Sequence, residues 1–390
     1  MLEKSTCCCE LRRGKLCKKD LKQFWMWDPL FEELLKEQPN FVNKLEIVEG
    51  DSSADNLGID EKTWARLSDE VNIMFHVAAT VNLRESIKMA TFTNIKGTRE
   101  FIKLAKSCKH LKSVVHVSTA YSHATKDRVK GDVKEDFYQS PIPPETMIQL
   151  AECVDDDKLD AMIEPFMDQW PNSYTITKAV AEDLVRVMGK GLPICIVRPA
   201  VGKLVDVMNN EGRLFVPTKA LWYCGTFVTP YKFLYLILTL ILHYIPAVVI
   251  DGCCLLVGQK ARLLKVYSLV QSLSSALVYF TSNEWLFEDA NTLSLHNKLS
   301  ETDKLIYNCD ISSVDMKELV VLWTYGVVKY IVKDDMENRS YALWKQSVLR
   351  IVHYIVLPLY LYGLFKLTSV VLTFIYFVVV MFCKYISVLF

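Results

Sequence analysis

Val71-Asn72-Ile73-Met74-Phe75-His76-Val77-Ala78-Ala79 is a compact apolar run of the kind that fills a buried parallel strand. Similar runs recur along the first half of the chain. Leu45-Glu46-Ile47-Val48 predicts a short strand ending at Glu49-Gly50-Asp51, Lys112 to Ser118 another, and Pro193 to Pro199 a third. Between them lie helical patterns over 61–70, over an amphipathic stretch from about Ser86 to Cys108, and around Tyr174. Strands alternating with helices imply right-handed crossovers and a doubly wound parallel sheet. Ligands bind beyond the carboxyl ends of such strands. Asp51, Ala78, Ala79, Ser118 and Pro199 all sit at such ends.

Beyond Leu204 the pattern changes. Phe233 to Leu242 is strongly apolar, but His243 and Pro246 follow and the stretch runs into Asp251. An interfacial or acyl-contacting helix fits this better than a membrane span. Lys260, Arg262 and Lys265 could then meet lipid head groups or a phosphate-bearing substrate, or simply form a solvated face. Leu367 to Cys383 holds no charged residue and reads as a transmembrane segment, with a second apolar run from Tyr354 to Phe365 before Lys366. One helix with Lys366 near an interface is cheaper than a hairpin that buries it. The expected fold is α/β, an incomplete doubly wound, Rossmann-like parallel sheet, followed by a mostly helical C-terminal domain and a transmembrane tail. The folded bulk is expected on the cytosolic side, at the endoplasmic reticulum or the peroxisome.

Candidate chemistry centres on Ser173-Tyr174-Thr175-Ile176-Thr177-Lys178. A tyrosine and a lysine four apart share a helix face, where an ammonium favours phenolate. A strand-end serine, Ser118, can hydrogen-bond a carbonyl that gains or loses hydride. Tyrosine as acid, lysine as tuner and serine as orienter form the short-chain dehydrogenase/reductase constellation. The Tyr-x-x-x-Lys pair alone arises often by chance. Its context, a preceding strand that ends in Val117-Ser118-Thr119, gives it weight.

Composition narrows the picture further. Basic and acidic residues balance at 45 each, which leaves no global field for nucleic acid. The twelve cysteines are spread through a large chain and read as free thiols of a reducing compartment. Cys7-Cys8-Cys9 could accept palmitate but is otherwise unexplained. The first residues carry no apolar segment of a secretory signal.

The motifs together resemble one family, the alcohol-forming fatty acyl-CoA reductases, most like its insect members. The resemblance runs from about Asp28 to Lys333. It includes Val48-Glu49-Gly50-Asp51, Phe75-His76-Val77-Ala78-Ala79-Thr80-Val81, Asn94-Ile95-Lys96-Gly97-Thr98 and His116-Val117-Ser118-Thr119-Ala120-Tyr121. Val197-Arg198-Pro199, Tyr244-Ile245-Pro246-Ala247 and Asn283-Glu284-Trp285-Leu286-Phe287 extend it. It implies that a long-chain fatty acyl-CoA is reduced by two NADPH, through an aldehyde, to a primary alcohol and free CoA. Tyr174 would donate the proton, and Lys178 would lower its pKa and bind the nicotinamide ribose. Ser118, with Thr119, would bind the oxyanion, and Asn94 would hold a water relay to Lys178. Asp51 would contact adenine, Ala78 and Ala79 would let the cofactor approach the backbone, and Pro199 would border it. Asp51 can equally cap a turn, the alanines serve packing, and Asn94 cap or interrupt its own helix. The implied partners are the acyl-CoA and membrane lipid. The implied domains are a remnant of a dinucleotide-binding unit over 1–43, a reductase domain over 44–205, a C-terminal reductase-type domain over 206–347 and an anchor over 348–390.

Two departures temper the resemblance. None of the 14 glycines forms the glycine-rich turn that holds a dinucleotide pyrophosphate, so the first βαβ unit is expected to be missing. Arg12-Arg13-Gly14-Lys15 could be the end of the loop that meets the NADPH ribose phosphate. After Pro199 the chain passes quickly to Ala220-Leu221-Trp222-Tyr223, as if an internal block had been deleted. Three readings stay open: a reductase whose sequence is incomplete, a cofactor-deficient membrane-anchored pseudoenzyme, or another membrane-bound reductase such as a sterol dehydrogenase.

Overall fold

The computed structural model describes residues 5–10, 31–200, 217, 218, 220, 222, 223, 229, 231–331, 333, 334 and 338–389. Arg12-Arg13-Gly14-Lys15 and most of the shortened stretch after Pro199 lie outside them. The chain divides into two units, Met1–Gly202 with Tyr231–Asp310, and Lys203–Pro230 with Ile311–Phe390.

In the first unit, β1 (Ser5–Glu10) precedes α1 (Glu32–Glu37) and pairs in parallel with β2 (Leu45–Gly50). Cys7-Cys8-Cys9, unexplained by pattern alone, is the middle of β1, with Cys7 opposite Ile47 and Cys9 opposite Glu49. α2 (Glu61–Glu70) starts where the Asp60 carboxylate accepts the Thr63 amide, which satisfies an orphan donor of its first turn. β3 (Ile73–His76) follows. The amphipathic stretch expected from Ser86 to Cys108 is not one regular helix. α3 (Ile87–Ala90), capped by Ser86, passes through a π-helical turn (Thr91–Lys96) into α4 (Gly97–Ser107). After β4 (Ser113–Val117) and the short β5 (Asp132–Val133) come α5 (Pro144–Cys153), α6 (Asp156–Ile163), α7 (Ser173–Met188) and β6 (Ile194–Val197).

β3, β4 and β6 form a parallel sheet in that order, with His76 opposite His116 and Val117 opposite Val197. This is the expected parallel α/β architecture in two pieces: among the described residues β2 pairs only with β1. One face of the larger piece is covered. Met74 and Val114 join Phe101, Ile102, Leu104, Ala105 and Val185 in one apolar cluster. A second cluster, with Ile95, Ile148, Leu159, Ile176 and Val180, fills the space between the π-turn and α5, α6 and α7. On the opposite face of β3, Ile73, Phe75 and Val77 are 55%, 66% and 63% exposed.

The same unit continues with α8 (Lys232–Thr239), a π-helical turn (Leu240–Tyr244), α9 (Ile245–Leu256) and α10 (Leu263–Ser282). β7 (Leu286–Phe287) pairs in parallel with β5 and is followed by α11 (Ala290–Asn297) and α12 (Glu301–Ile306). The second unit holds α13 (Met316–Gly326) and α14 (Arg339–Leu389). Within it, Asp334 accepts from the Thr218 amide and hydroxyl, and Lys345 Nζ donates to the Thr218 carbonyl.

α14 is one continuous helix of 51 residues with Pro358 inside it, not a hairpin. Lys366 lies over the Tyr362 ring, 5.6 Å from its centroid. Lys232–Leu256, Leu263–Ser282 and Arg339–Met381 are each long and apolar enough to cross a membrane. So much exposed apolar helix suits a membrane-associated chain, and it extends well beyond the single clear span read from the sequence.

The junction of the π-turn and α4 depends on close approach. A Cβ on Gly97 would meet the Ser52 carbonyl oxygen at 2.8 Å. In an open helix Gly→Ala stabilises by about 1 kcal/mol. Here Gly97→Ala is expected to destabilise by about 1–3 kcal/mol, since backbone must move. A lowered thermal midpoint of the full chain in detergent checks this, and a raised one would show that the contact relaxes freely.

Candidate active site

The Asn172 side chain caps α7 by accepting the Thr175 amide at 3.0 Å. That cap starts the helix one residue before Tyr174 and places Tyr174, Lys178 and Glu182 on one face at four-residue spacing. The end of β4 delivers Ser118 and Thr119 to the same place. The Ser118 amide bonds the Val197 carbonyl at 2.8 Å, and Ala120 N bonds the Pro199 carbonyl at 3.0 Å, so β4 and β6 stay laddered past their formal ends.

Lys178 is buried, and its Nζ donates to the Val117 carbonyl at 2.8 Å. Burial pushes its pKa down to about 8, against the opposing charge of Glu182. The Tyr174 phenol is raised above its ordinary value by burial, and a hydrogen bond from Thr119 pulls the other way. The lysine is engaged by a backbone carbonyl, and desolvation is the largest influence on the phenol. A raised pKa keeps Tyr174 protonated at neutral pH, as a proton donor requires.

Ser118 is placed differently from its expected role. Its hydroxyl donates to Glu182 Oε1 at 2.5 Å, so its proton points into the protein and not toward a substrate oxyanion. Glu182 also accepts from Ser122 Oγ at 2.8 Å and lies 3.1 Å from His123 Nε2. Arg198 grips it with Nη2 at 2.6 Å and Nε at 3.1 Å. The carboxylate is fully buried, yet its pKa is held down to about 2, because the hydrogen bonds and charges of His123 and Arg198 outweigh desolvation. Glu182 stands in the motif Lys178-Ala179-Val180-Ala181-Glu182, and its signal in the sequence is a lone carboxylate four residues beyond the lysine on an otherwise apolar face.

Asn94 lies in the π-turn, a feature common at functional sites. Its Oδ1 accepts the Thr80 amide at 2.9 Å and its Nδ2 donates to Thr177 Oγ1 at 3.0 Å. Its carbonyl accepts from Thr98 Oγ1 at 2.6 Å. These contacts make Asn94 a buried strut between the β3 turn and α7. Asp51 is exposed and accepts from the Ser53 amide and hydroxyl, so it closes a turn at the end of β2. Ala78 is exposed and Ala79 half-buried just beyond β3. Behind the site His76 and His116 meet Nδ1 to Nδ1 at 2.9 Å, an association the sequence alone did not suggest. Burial lowers both, His116 to about 3, so the pair is neutral.

The residues suit the nicotinamide half of a dinucleotide: an acid, a buried lysine and small residues at the carboxyl end of the sheet. A glycine-rich cradle for the pyrophosphate is not among the described residues.

Glu182→Gln would leave Arg198 and His123 facing a neutral amide. It is expected to cost about 3–5 kcal/mol, the penalty for breaking a buried pair. A depressed carboxylate stabilises the fold above its ordinary value of 4.5 and loses that contribution as pH falls toward about 2. The variant should therefore lose stability at pH 7 and show a flatter decline between pH 4.5 and 2, read from denaturation midpoints. Because Glu182 is what raises Lys178, the lysine pKa should fall below about 8. An unchanged midpoint would remove the cluster from the account of stability.

A family model described as male sterility protein, its NAD-binding part, matches residues 2–204, and a second model with the same description matches residues 242–334. Fatty acyl-CoA reductase wat of Drosophila melanogaster is 28% identical over 431 positions, covering 87% of this chain and 83% of the relative. Those 431 positions exceed the 390 residues here, so at least 41 of them are residues of the relative with no counterpart inside this chain. Human fatty acyl-CoA reductase 1 is 25% identical over 409 positions, covering 83% of this chain and 79% of its own. Among solved structures, the terminal reductase domain of the myxalamid biosynthetic pathway is 23% identical, over 57% of this chain and 51% of that one. Its TM-score of 0.34 makes that likeness slight. Match and site chemistry agree on a reductase that uses a nicotinamide cofactor, and the chain belongs to the male sterility protein family, the family of the fatty acyl-CoA reductases.

Proposed function

We propose that this protein reduces long-chain fatty acyl-CoA to a primary alcohol, releasing CoA and consuming two NADPH and two protons. The observation that carries this reading is the placement of the Tyr174 phenol, hydrogen-bonded by Thr119 and set four residues before a buried lysine. NADPH supplies the hydride when bound. Tyr174 gives its proton to the carbonyl oxygen of the thioester, and again to that of the aldehyde. The Thr119 hydroxyl steadies the phenolate left behind, and it takes over the contact with the substrate oxygen that the spacing had suggested for Ser118. Ser118, turned to Glu182, holds the end of β4 against α7. Lys178 would hold the nicotinamide ribose, and with a pKa of about 8 it carries a proton near neutral pH that it can pass on.

The long acyl chain is assigned from the relatives' names together with the exposed apolar helices of both units. The same helices support a reaction at a membrane, with α14 as the proposed anchor. A second reading has one observation in its favour. Solvent-facing Ile73, Phe75 and Val77 suit a membrane-anchored pseudoenzyme that binds acyl chains without cofactor.

The full chain in microsomes, given palmitoyl-CoA and NADPH, is expected to form hexadecanol. Tyr174→Phe should lower the rate by a factor of about 100 or more, since a positioned acid contributes roughly 10²–10⁴. Replacement of NADPH by NADH tests the cofactor choice. Alcohol formation that survives Tyr174→Phe would overturn the assignment of the acid. A folded chain that forms no alcohol would leave the pseudoenzyme reading in possession.

A further inference from the structure

The helices α8, α9 and α10 form an antiparallel hairpin. Tyr235 Oη donates to Gln271 Oε1 at 3.0 Å, and the His243 and Tyr267 rings lie 5.1 Å apart. At the tip, the Asp251 carboxylate accepts the amides of Arg262, Leu263 and Leu264, each at 3.0 Å. Either helical arm is long enough to cross a bilayer on its own. The contacts of α10 decide otherwise.

From Ser272 onward α10 is pinned to the reductase fold. Arg84 Nη2 donates to the Ser272 carbonyl at 2.8 Å, Tyr279 Oη donates to the Ala124 carbonyl at 3.1 Å, and the Phe280 ring meets Tyr121 at 5.0 Å. Only Leu263 to Gln271 remain free of it, about 13 Å of helix at 1.5 Å per residue. A hydrocarbon core is about 30 Å thick, so α10 cannot carry the chain back across one. A tip pushed in by that length would set the exposed Lys260, Arg262 and Lys265 near the middle of the bilayer, the costliest place for a cation. Between Gly252 and Asn283 no acidic residue offsets them.

The hairpin nonetheless carries apolar surface that water does not favour, with Phe233, Leu240, Val249, Leu256 and Leu269 all exposed. Apolar faces beside a cluster of three exposed cations, with Asp251 engaged by backbone amides as the one nearby carboxylate, match a lipid interface, where the stems lie among acyl chains and the charges reach phosphates. We propose that the α8–α10 hairpin lies flat on an anionic phospholipid leaflet and does not cross it, with Lys260, Arg262 and Lys265 on the head groups. Because α10 is fixed to Tyr121 and Ala124, just past the end of β4, the leaflet is held beside the carboxyl edge of the sheet. The inference rests on the hairpin's contacts and not on the proposed reaction.

The test uses the full chain reconstituted in phosphatidylcholine vesicles with or without phosphatidylserine. The vesicles carry phospholipids bearing a photoactivatable group either at the head or at the acyl terminus, and labelled peptides are mapped by mass spectrometry. The head probe should label residues 257–270, more strongly with phosphatidylserine, while the acyl-terminal probe labels α14 and not the hairpin tip. Lys260→Glu with Arg262→Glu and Lys265→Glu should cut head labelling of the hairpin by roughly fivefold or more, given the attraction of each cation to an anionic surface. Labelling of α14 should stay unchanged and shows that the variant is inserted. Acyl-terminal labelling along both arms would mean a crossing hairpin and overturn the proposal. Labelled α14 beside an unlabelled hairpin would mean that the surface faces water or protein, and would overturn it too.

Discussion

A single buried carboxylate organises the reductase unit. Glu182 would be expensive to ionise inside a protein without partners, and it is ionised because four side chains converge on it. They come from three local elements. Ser118 comes from the end of β4, Ser122 and His123 from the turn beyond it, and Arg198 from the end of β6. Arg198 reaches further, to the carbonyls of Lys134 and Asp136, and so ties in the segment after β5. The charge of Lys178, one helical turn from Glu182, is favoured by that carboxylate against the burial that lowers its pKa. The positions of acid, lysine and strand end are therefore not independent: they follow from satisfying one charge.

The rest of the sheet shows what happens without such convergence. β3, β4 and β6 bury Met74, His76, Val114 and His116 on one side, where α4 and α7 pack. On the other side, alternate residues of β3 stand in solvent. Parallel strands normally carry helices on both faces. Among the described residues, this face of β3 therefore has less cover than a doubly wound fold usually provides.

Much of this was legible in the sequence, and the limits have physical reasons. The strands over 45–50, 73–76, 113–117 and 194–197 and the helix of Tyr174 follow from runs, periodicity and caps, which are local signals. β1 was not legible, because three cysteines carry little strand preference and its partner Ile47 lies forty residues away. The roles within the site were least legible. Spacing places Tyr174 and Lys178 on one face, but which acceptor Lys178 finds depends on where the Val117 carbonyl falls. Ser118 and Thr119 are adjacent, and a strand sends adjacent side chains to opposite sides. The sequence gives no sign of which side holds Glu182. The structure turns Ser118 to the carboxylate and Thr119 to the phenol.

That alternation bears on how a thinly covered sheet can keep a working site. The apolar packing that holds α7 comes from the π-turn, α5 and α6, and from α4, all on the covered side. Asn94 adds a polar tie from the π-turn to Thr177, and the histidine pair stacks side by side on the covered face of β3 and β4. None of these contacts uses the open face of β3. Exposure of that face costs the sheet stability without pulling on Tyr174, Thr119 or Lys178. Cofactor binding is the exposed step, since the pyrophosphate belongs at the turn after a first strand that would flank β3. The proposed proton-donating residues and the place where a dinucleotide pyrophosphate would bind thus stand on different parts of the fold.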